Sequence, residues 1–258
     1  SSLALWVSSA LLVAGVVIIR PRRLYALWND LGDRLWEIRK PLAALTVVLI
    51  ASAIGRSSLQ TVSELFGLRL TWLIHALEGN FVAWVQATFG SPQLTMYFAS
   101  VYVYGYVFLL AFPFLAYLAL PRTTTVKRLL VAYALNYAIG LALYTVVFAY
   151  GPRNVMPDLV TSLLFTHNPE FMALTGEVNE PTNVFPSLHT SLSVTVGTFA
   201  VLTRREYPLW TPIAVWLATS VVIATMYLGI HWLTDVVAGT ALALGAVYLS
   251  CRLVGEAE

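Results

Sequence analysis

The chain carries little charge and a single cysteine, and each shortage excludes a class of protein. Asp, Glu, Lys and Arg together make up 11% of its 258 residues, whereas a soluble domain carries about 25%. Hydrophobic residues make up 59% and the mean hydropathy is +0.76. This composition excludes a soluble globular domain and predicts an integral membrane protein. The lone cysteine, Cys251, excludes an intrachain disulfide and a metal cluster built from several thiolates.

Long apolar runs are abundant, and seven are candidate spans because a helix needs about 20 apolar residues to cross a bilayer. The runs are continuously apolar, whereas strands of a membrane barrel alternate apolar and polar residues. The predicted fold is all-α: a polytopic transmembrane helical bundle in one membrane domain, residues 1–258, with six core helices and an extra N-terminal span. The spans are Leu3 to Ile19, Pro41 to Gly55 (the shortest), Leu94 to Leu120, Leu129 to Tyr150, Ser187 to Thr203, Leu209 to Leu228 and Trp232 to Ser250.

Basic residues fall unevenly on the two sides that alternating spans would create. Twelve of the 15 Lys and Arg residues lie in the first, third and fifth connections and the C-terminal tail. The positive-inside rule makes that side cytoplasmic, so we expect a retained first span with its N-terminus outside. A net charge of +2, spread along one membrane face, does not indicate a nucleic-acid partner. The twelve are Arg20, Arg22, Arg23, Arg34, Arg39, Lys40, Arg122, Lys127, Arg128, Arg204, Arg205 and Arg252.

Residues 56–93 form the first of two long outer connections, and they carry an amphipathic pattern. Apolar residues at helical spacing alternate with polar ones, which predicts an amphipathic helix in the membrane interface. This helix would be either a packing element over the bundle or a lid over a lipid entrance. The histidines of the two connections, His75 and His167, are interpreted as interfacial polar residues. The pattern consists of Phe66, Leu70, Leu73, Leu77, Phe81, Trp84 and Val85, with Glu64, Thr71, His75, Glu78 and Gln86 between them.

Three short stretches place polar residues at the outer ends of spans. They are "GPRN" (151–154), "PSLHTS" (186–191) and "YLGIHWLTD" (227–235). Each has an ordinary structural explanation: Ser187 as a helix N-cap, Asp235 as a partner of the helix dipole, and Arg153 as an interfacial cation. All three nevertheless converge on one rim of one bundle. Polar groups at membrane depth are costly, so their convergence predicts a functional site between residues 150 and 240.

Phosphoryl transfer is the chemistry that needs this set of residues. A helix that begins near Ser187 offers free backbone N–H groups to a phosphate, and Arg153 can add a charged clamp. His231 and Asp235 are four residues apart on one helical face, so the carboxylate can hold the imidazole in one tautomer. The free ring nitrogen of His231 is then the nucleophile. His189 can protonate the departing alkoxide as a general acid.

These residues resemble the signature of the type 2 phosphatidic acid phosphatase superfamily. Its three motifs are Lys-X6-Arg-Pro, Pro-Ser-Gly-His and Ser-Arg-X5-His-X3-Asp; here "PSLH" matches the second and "HWLTD" the end of the third. The resemblance covers roughly the C-terminal half of the chain. It implies that His231 becomes phosphohistidine with Asp235 as its partner, that His189 is the acid, and that no metal or other cofactor is needed.

The resemblance also implies a phosphate site and a lipid substrate. Arg153, Ser187 and Leu188 would bind the phosphate, with Asn154, Thr225 and Tyr150 in support. The implied substrate partner is a membrane phospholipid or lipid phosphate.

The departures from this signature indicate a phosphodiester substrate. Val146 stands where the family has lysine and Thr225 where it has arginine, while Leu188 replaces the glycine of the second motif. A diester carries one negative charge and a phosphomonoester nearly two, so a diester site needs fewer cations. Arg56 or Arg69 could instead fold back to replace a missing cation. The pattern resembles the branch that contains inositol phosphorylceramide synthases, which implies a headgroup transferase.

Other functions fit parts of the pattern. A phosphatase would use the same site with water as the acceptor, and the sequence leaves that choice open. A transporter or scramblase would need ionisable residues throughout the membrane depth, whereas the middles of the runs are almost free of them. A metal hydrolase could use His189, His231 and Asp235 as ligands, but no third strong ligand is nearby. An inactive family member would lack one of these three residues, and all are present.

Overall fold

The computed structural model describes residues 2–166 and 183–255, and this part of the chain is the predicted all-α polytopic bundle. Two short strands pair in parallel, Leu68 with Val147 and Arg69 with Phe148. The elements are α1 (Ser2–Ala14), the π-helical turn π1 (Gly15–Ile19), α2 (Pro21–Asn29), α3 (Leu31–Phe66), β1 (Leu68–Arg69), α4 (Thr71–Glu78), α5 (Phe81–Phe89), α6 (Pro92–Ser100), the π-helical turn π2 (Val101–Gly105), α7 (Tyr106–Leu118), α8 (Thr124–Val146), β2 (Val147–Phe148), α9 (Pro152–Val155), α10 (Leu163–Thr166), α11 (Leu188–Leu202), α12 (Trp210–Tyr227) and α13 (Leu233–Leu253).

Five helical segments in the described part of the chain are long and apolar enough to cross a bilayer. A bent pair near the N-terminus, Leu3–Ile19 followed by Pro21–Asn29 at 104°, would make a sixth. The remaining predicted span, Ser187 to Thr203, corresponds to α11, which has 15 residues and is about 22 Å long at 1.5 Å per residue. This length is short of the hydrocarbon core, so α11 stands inside the bundle between α8, α12 and α13. The five segments are Leu31–Gly55, Pro92–Leu118, Thr124–Val146, Trp210–Tyr227 and Leu233–Leu253.

Helix α3 is much longer than the predicted span of Pro41 to Gly55. It runs for 36 residues and includes Pro41 in its interior. The charged stretch before Pro41 consists largely of Arg, Glu and Lys, which are good helix formers although they are not apolar. Hydropathy therefore predicts only the apolar part of α3, which can cross the bilayer. The residues after Arg20, predicted to be a connection, are helical almost throughout.

The small and hydroxylated residues of α11 let its neighbours approach closely. Among the described residues, the Cβ of an alanine at Gly197 would lie 3.4 Å from the Cβ of Ala218 on α12. On the opposite face, Asn136 of α8 donates to Thr195 Oγ1 at 3.1 Å and accepts a hydrogen bond from Ser191. Such small and polar contacts hold helices together where lipid removes the hydrophobic driving force. They fix α11 at the centre of the bundle.

The two ends of the bundle differ in charge. At one end Arg34 donates to the Leu118 carbonyl at 3.0 Å, and Arg23 pairs with Glu206 at 3.3 Å. At the other end lie the three polar stretches, joined by hydrogen bonds between their backbones and side chains. The basic connections and the polar stretches therefore occupy opposite ends, as alternating spans require. Which end faces the cytoplasm stays a prediction.

The outer connection is built differently from the expected single amphipathic helix, and that prediction is wrong. The chain forms β1, α4 and α5 instead, and the break after α4 lies at Gly79 with φ of +56°. A left-handed residue at this position ends a helix, and glycine adopts it without strain. The large apolar residues Trp72, Leu77 and Trp84 are exposed. The polar Glu78 and Gln86 point the other way, to the start of α13 and the end of α12.

Candidate active site

The His231–Asp235 pair sits where α12 gives way to α13. Gly229, with φ of +77°, turns the chain, and the amides of Ile230 and His231 both donate to the Thr225 carbonyl at 3.1 and 3.0 Å. Asp235 Oδ2 then accepts from His231 Nδ1 at 3.3 Å and from the Trp232 amide at 2.9 Å. His231 is 6% exposed and Asp235 is fully buried. The carboxylate thus engages Nδ1, which leaves Nε2 as the nitrogen able to react.

The N-terminus of α11 is pressed against the first turns of α13. Ser187 is its N-cap, with Oγ accepting from the Thr190 amide at 3.3 Å. The Ser187 amide donates to the Asp235 carbonyl at 3.2 Å. This approach needs a glycine at Gly239, because a Cβ there would lie 2.4 Å from the Ser187 carbonyl oxygen. The α11 N-terminus, a natural site for a phosphate, is therefore held beside the buried carboxylate.

Leu188, which stands where the family signature has glycine, packs into the space that a glycine leaves on the surface of α8. Its side chain lies over Gly140, where a Cβ would come within 2.5 Å of Leu188 Cδ2. The leucine at 188 and the glycine at 140 therefore fit each other. The side chain packs away between helices, so the polar group that Leu188 can offer a phosphate is its backbone N–H.

His189, in the first turn of α11, contacts two tyrosine rings. Its ring stacks on Tyr102 with centroids 4.5 Å apart, and the ring of Tyr106 lies at 4.4 Å, tilted by 39°. The Tyr102 hydroxyl also lies 3.4 Å from His189 Nδ1. Sequence reasoning missed both tyrosines. The signal that could have revealed them is "YVYGY", in which two tyrosines four residues apart sit within a span and need polar partners.

Arg153 is held against the loop that leads to His231. Its amide donates to the Gly229 carbonyl at 3.3 Å, and its guanidinium donates to Ser162 Oγ at 3.2 Å. No carboxylate within residues 2–166 and 183–255 forms an ion pair with it. Burial lowers the pKa of the guanidinium, and the electrostatic effect of Tyr102 opposes that shift. A half-buried cation with a hydroxyl as its partner is ready to bind an anion.

The three predicted supporting residues have different surroundings. Thr225 is fully buried, and its hydroxyl donates to the Val222 carbonyl at 2.7 Å, so it supports His231 through its own carbonyl. The Tyr150 carbonyl accepts from Trp232 Nε1 at 2.7 Å. Asn154 is exposed. Thr225 and Tyr150 thus contact the nucleophile segment through their backbones, and no contact of the Asn154 side chain is found among the described residues.

Asn183 is a buried residue that sequence reasoning missed. Its Oδ1 accepts from the amides of Ala149 and Phe185 at 3.0 and 3.1 Å, and its Nδ2 donates to the Tyr144 carbonyl at 2.8 Å. It therefore ties the chain before "PSLH" to the end of α8 and to β2. The first two polar stretches are held in register by this one amide side chain.

Glu78 and Gln86 attach the outer connection to the catalytic helices. Glu78 accepts from the amides of Leu233 and Thr234 at 2.8 and 2.6 Å, and Gln86 donates to the Tyr227 carbonyl at 2.9 Å. The first amides of α13 are thus satisfied by a carboxylate of the protein itself. These two amides are therefore not available to another anion.

The predicted site residues are linked by a path of contacts at one end of the bundle. The Arg153 amide is bonded to Gly229, two residues before His231. His231 bonds Asp235, whose carbonyl accepts from the amide of Ser187, two residues before His189. The structure therefore brings both histidines and the arginine to one end of the bundle. The roles assigned to them stay a prediction.

Arg69 and His75, the other outer cation and histidine whose side chains the structure describes, do not join this path. Val146, at the family's lysine position, is 57% exposed. The Arg69 guanidinium donates to the Glu64 carbonyl at 2.9 Å on the surface. His75 packs its ring against Trp232 at 5.8 Å. His167 and the Arg56 side chain lie outside the described part of the structure.

A comparison with protein-family models identifies the family of the chain. Residues 69–249 match the model of the PAP2 superfamily, the type 2 phosphatidic acid phosphatases. The match covers more than half of the chain and encloses all three polar stretches, so the protein belongs to the PAP2 superfamily. Members of this superfamily are phosphatases or phosphotransferases that act on lipid phosphates. Comparisons with curated proteins and with solved structures gave no match.

The contact between α11 and α13 gives a first prediction. Gly239→Ala places a methyl group against the Ser187 backbone, so the helices must separate by several tenths of an ångström or more. Overpacking of this kind costs about 1–3 kcal/mol, and the misplacement of the phosphate site should lower activity at least about tenfold. Turnover and thermal unfolding in detergent measure both effects.

Gly245→Ala on the same helix is the matched control, because nothing lies within 4 Å of a Cβ there. It should leave activity unchanged and stabilise α13 by up to about 1 kcal/mol. Equal activity in the two variants would contradict the tight approach of the two helices.

Proposed function

We propose that this protein is a lipid phosphotransferase that works through a phosphohistidine intermediate. Its donor is a phospholipid, a phosphodiester, and its acceptor is a lipid or another alcohol. The observation that carries the proposal is the buried His231–Asp235 pair, held beside the N-terminus of α11 by the Ser187 amide. A nucleophile with an orienting carboxylate and an anion site are thereby joined in one place.

The reaction proceeds in two half-reactions. Nε2 of His231 attacks phosphorus, a P–N bond forms, and the P–O bond to the diacylglycerol breaks. His189 gives its proton to the departing alkoxide, which leaves as diacylglycerol. In the second half-reaction the acceptor hydroxyl gives its proton to His189 while its oxygen attacks phosphorus. The P–N bond breaks, the headgroup phosphate is transferred, and His231 is regenerated.

The charge of the site favours a diester over a phosphomonoester. The two positions where the family signature has cations hold Val146, exposed on the side of α8, and Thr225, whose hydroxyl is bonded within its own helix. Arg153 is the cation that remains beside the path of contacts between His231 and His189. A phosphomonoester near pH 7 carries about −1.5 to −2 and a diester −1. The low positive charge of the site therefore supports a diester donor, as the resemblance to the branch that contains inositol phosphorylceramide synthases implies.

A phosphatase is the second candidate, because the PAP2 superfamily includes enzymes that pass the phosphate to water. The two candidates share the first half-reaction and differ in the acceptor. Two parallel incubations of the purified protein in lipid nanodiscs separate them. One contains phosphatidylinositol with ceramide, and the other contains phosphatidate or a polyprenyl phosphate.

The proposal predicts a new phosphoinositol lipid in the first incubation and little inorganic phosphate in the second. Rapid phosphate release from the monoesters, with no headgroup transfer, would overturn the transferase in favour of the phosphatase. His231→Ala protein serves as the blank in both incubations.

The site is proposed to face the extracytoplasmic side, because the basic connections lie at the other end. Cysteines introduced at exposed positions test this in a Cys251→Ser background. Asp158→Cys, near the site, should react with a membrane-impermeant maleimide in intact cells, whereas Arg122→Cys should react only after permeabilisation. Labelling in the reverse order would contradict the assignment of sides.

The proposed chemistry uses protein groups alone. In the described ranges, His, Cys, Asp and Glu side chains do not gather into any group of three or more that could hold a metal ion. Exhaustive treatment with EDTA and phenanthroline should therefore leave turnover within about twofold of the untreated enzyme. A loss that added zinc reverses would instead favour the metal hydrolase.

A further inference from the structure

The two tyrosines around His189 belong to an unusual turn of their helix. Between α6 and α7 the chain forms π2, and the Tyr106 amide bonds the Val101 carbonyl five residues back. A π-helical turn inside an α-helix widens the helix locally, and such turns are frequent at functional sites. Here the turn presents Tyr102 and Tyr106 to the same imidazole, with centroid distances of 4.5 and 4.4 Å.

We propose that Tyr102 and Tyr106 form an aromatic clamp that positions His189 as the general acid, with the Tyr102 hydroxyl fixing Nδ1. The inference rests on the proposed function, because it assigns no new reaction and explains how the acid of that reaction is held. The two tyrosines are positioning residues: they act through His189 and make no contact with the reacting atoms.

The hydroxyl decides which nitrogen gives up its proton. In the imidazolium form, Nδ1–H donates to the Tyr102 oxygen, which lies 3.4 Å away. The proton given to the leaving group is then the one on Nε2. The neutral ring that results keeps its proton on Nδ1, where it still donates to the Tyr102 oxygen, and Nε2 can take the proton of the acceptor hydroxyl in the second half-reaction. Tyr102 therefore holds the imidazole with Nε2 toward the substrate.

The ring faces act on the same side chain. Aromatic faces attract a cation, and the 22° angle between the Tyr102 and His189 planes gives a stacked contact. Tyr102 is 2% exposed, so this contact is shielded from water. The ring also restricts rotation of the imidazole.

Two donors with leaving groups of different basicity show whether Tyr102 acts in proton donation or only in the structure of the site. An alkoxide needs a proton to depart, whereas p-nitrophenolate leaves without one. The test compares two donors with the same headgroup phosphate, a diacylglycerol ester and a p-nitrophenyl ester. The first half-reaction of each is followed in a single turnover, as the release of diacylglycerol or of nitrophenolate.

Tyr102→Phe should slow the diacylglycerol release at least tenfold and the nitrophenolate release less than threefold. Tyr102→Leu, which also removes the ring, should slow the first release further and leave the second within the same limit. The matched control is Tyr104→Phe, because Tyr104 lies in the same turn but faces Trp6, with centroids 5.5 Å apart. It should change neither rate.

The outcomes distinguish this inference from the function on which it rests. Equal slowing of both donors in Tyr102→Phe would overturn the clamp, since a general structural defect has that signature. Rates like those of the wild type on both donors would overturn it as well. Failure of the wild-type protein to release either leaving group, or undiminished release by His231→Ala, would overturn the proposed function itself.

Discussion

Replacing His231 with alanine should lower turnover by about 10⁴-fold or more and prevent labelling of the protein by a phosphate-labelled donor. In the proposed mechanism the imidazole forms the covalent bond to phosphorus, and removal of a nucleophile leaves only the electrostatic part of catalysis. Arg153 and the α11 N-terminus remain in the variant, so donor binding should be nearly unchanged. Single-turnover kinetics and binding of a non-transferable donor analogue measure the two properties separately.

Two outcomes in His231→Ala would contradict the role of His231 as nucleophile. A labelled phosphoenzyme that still forms in His231→Ala would mean that another side chain attacks phosphorus. A parallel loss of donor binding and of thermal stability would point to a packing role for the nearly buried ring.

Asp235→Asn should have the second largest effect, a fall in turnover of about 10³- to 10⁴-fold with the fold retained. The carboxylate accepts hydrogen bonds from His231 Nδ1 and from the Trp232 amide. Both bonds end on the same oxygen, Oδ2, so an asparagine oxygen placed there can still accept them, but it lacks the negative charge that stabilises the charge formed on the ring as Nε2 attacks phosphorus. In the opposite orientation the NH₂ group would face the Trp232 N–H and donate to Nδ1, which would move the ring proton to Nε2, the nitrogen that should attack.

Comparison of this variant with Asp158→Asn, an exposed position outside the path of contacts, controls for the change of charge. Asp158→Asn should retain full turnover. Activity within tenfold of the wild type in Asp235→Asn would show that neither the charge of the carboxylate nor its hold on Nδ1 is needed for turnover.

Local patterns were sufficient to predict the fold class and the nucleophile pair. Apolar runs report where the chain meets lipid, so the bundle and most of its spans follow from hydropathy. His231 and Asp235 are four residues apart, and a contact over one helical turn is visible in the sequence. Ser187 was recognised in the same way, as the residue before a long apolar helix.

Contacts between distant residues could not be predicted in this way. The partner of Glu78 lies 155 positions along the chain, and the two residues of the Tyr102–His189 contact are 87 positions apart. The outer connection was predicted as one amphipathic helix because its apolar spacing continues through Gly79, although the backbone turns there. The inward direction of its polar residues depends on the free amides at the start of α13, which no local pattern in residues 56–93 reveals.

The central claim is that phosphorus becomes bound to His231, and mapping of the trapped intermediate tests it most directly. In His189→Ala protein, a p-nitrophenyl donor should still phosphorylate the enzyme, but the second half-reaction lacks its base and the intermediate should accumulate. Peptide mapping by mass spectrometry should then place an acid-labile, alkali-stable modification on Nε2 of His231. A modification on any other residue, or direct transfer with no covalent intermediate, would contradict the account.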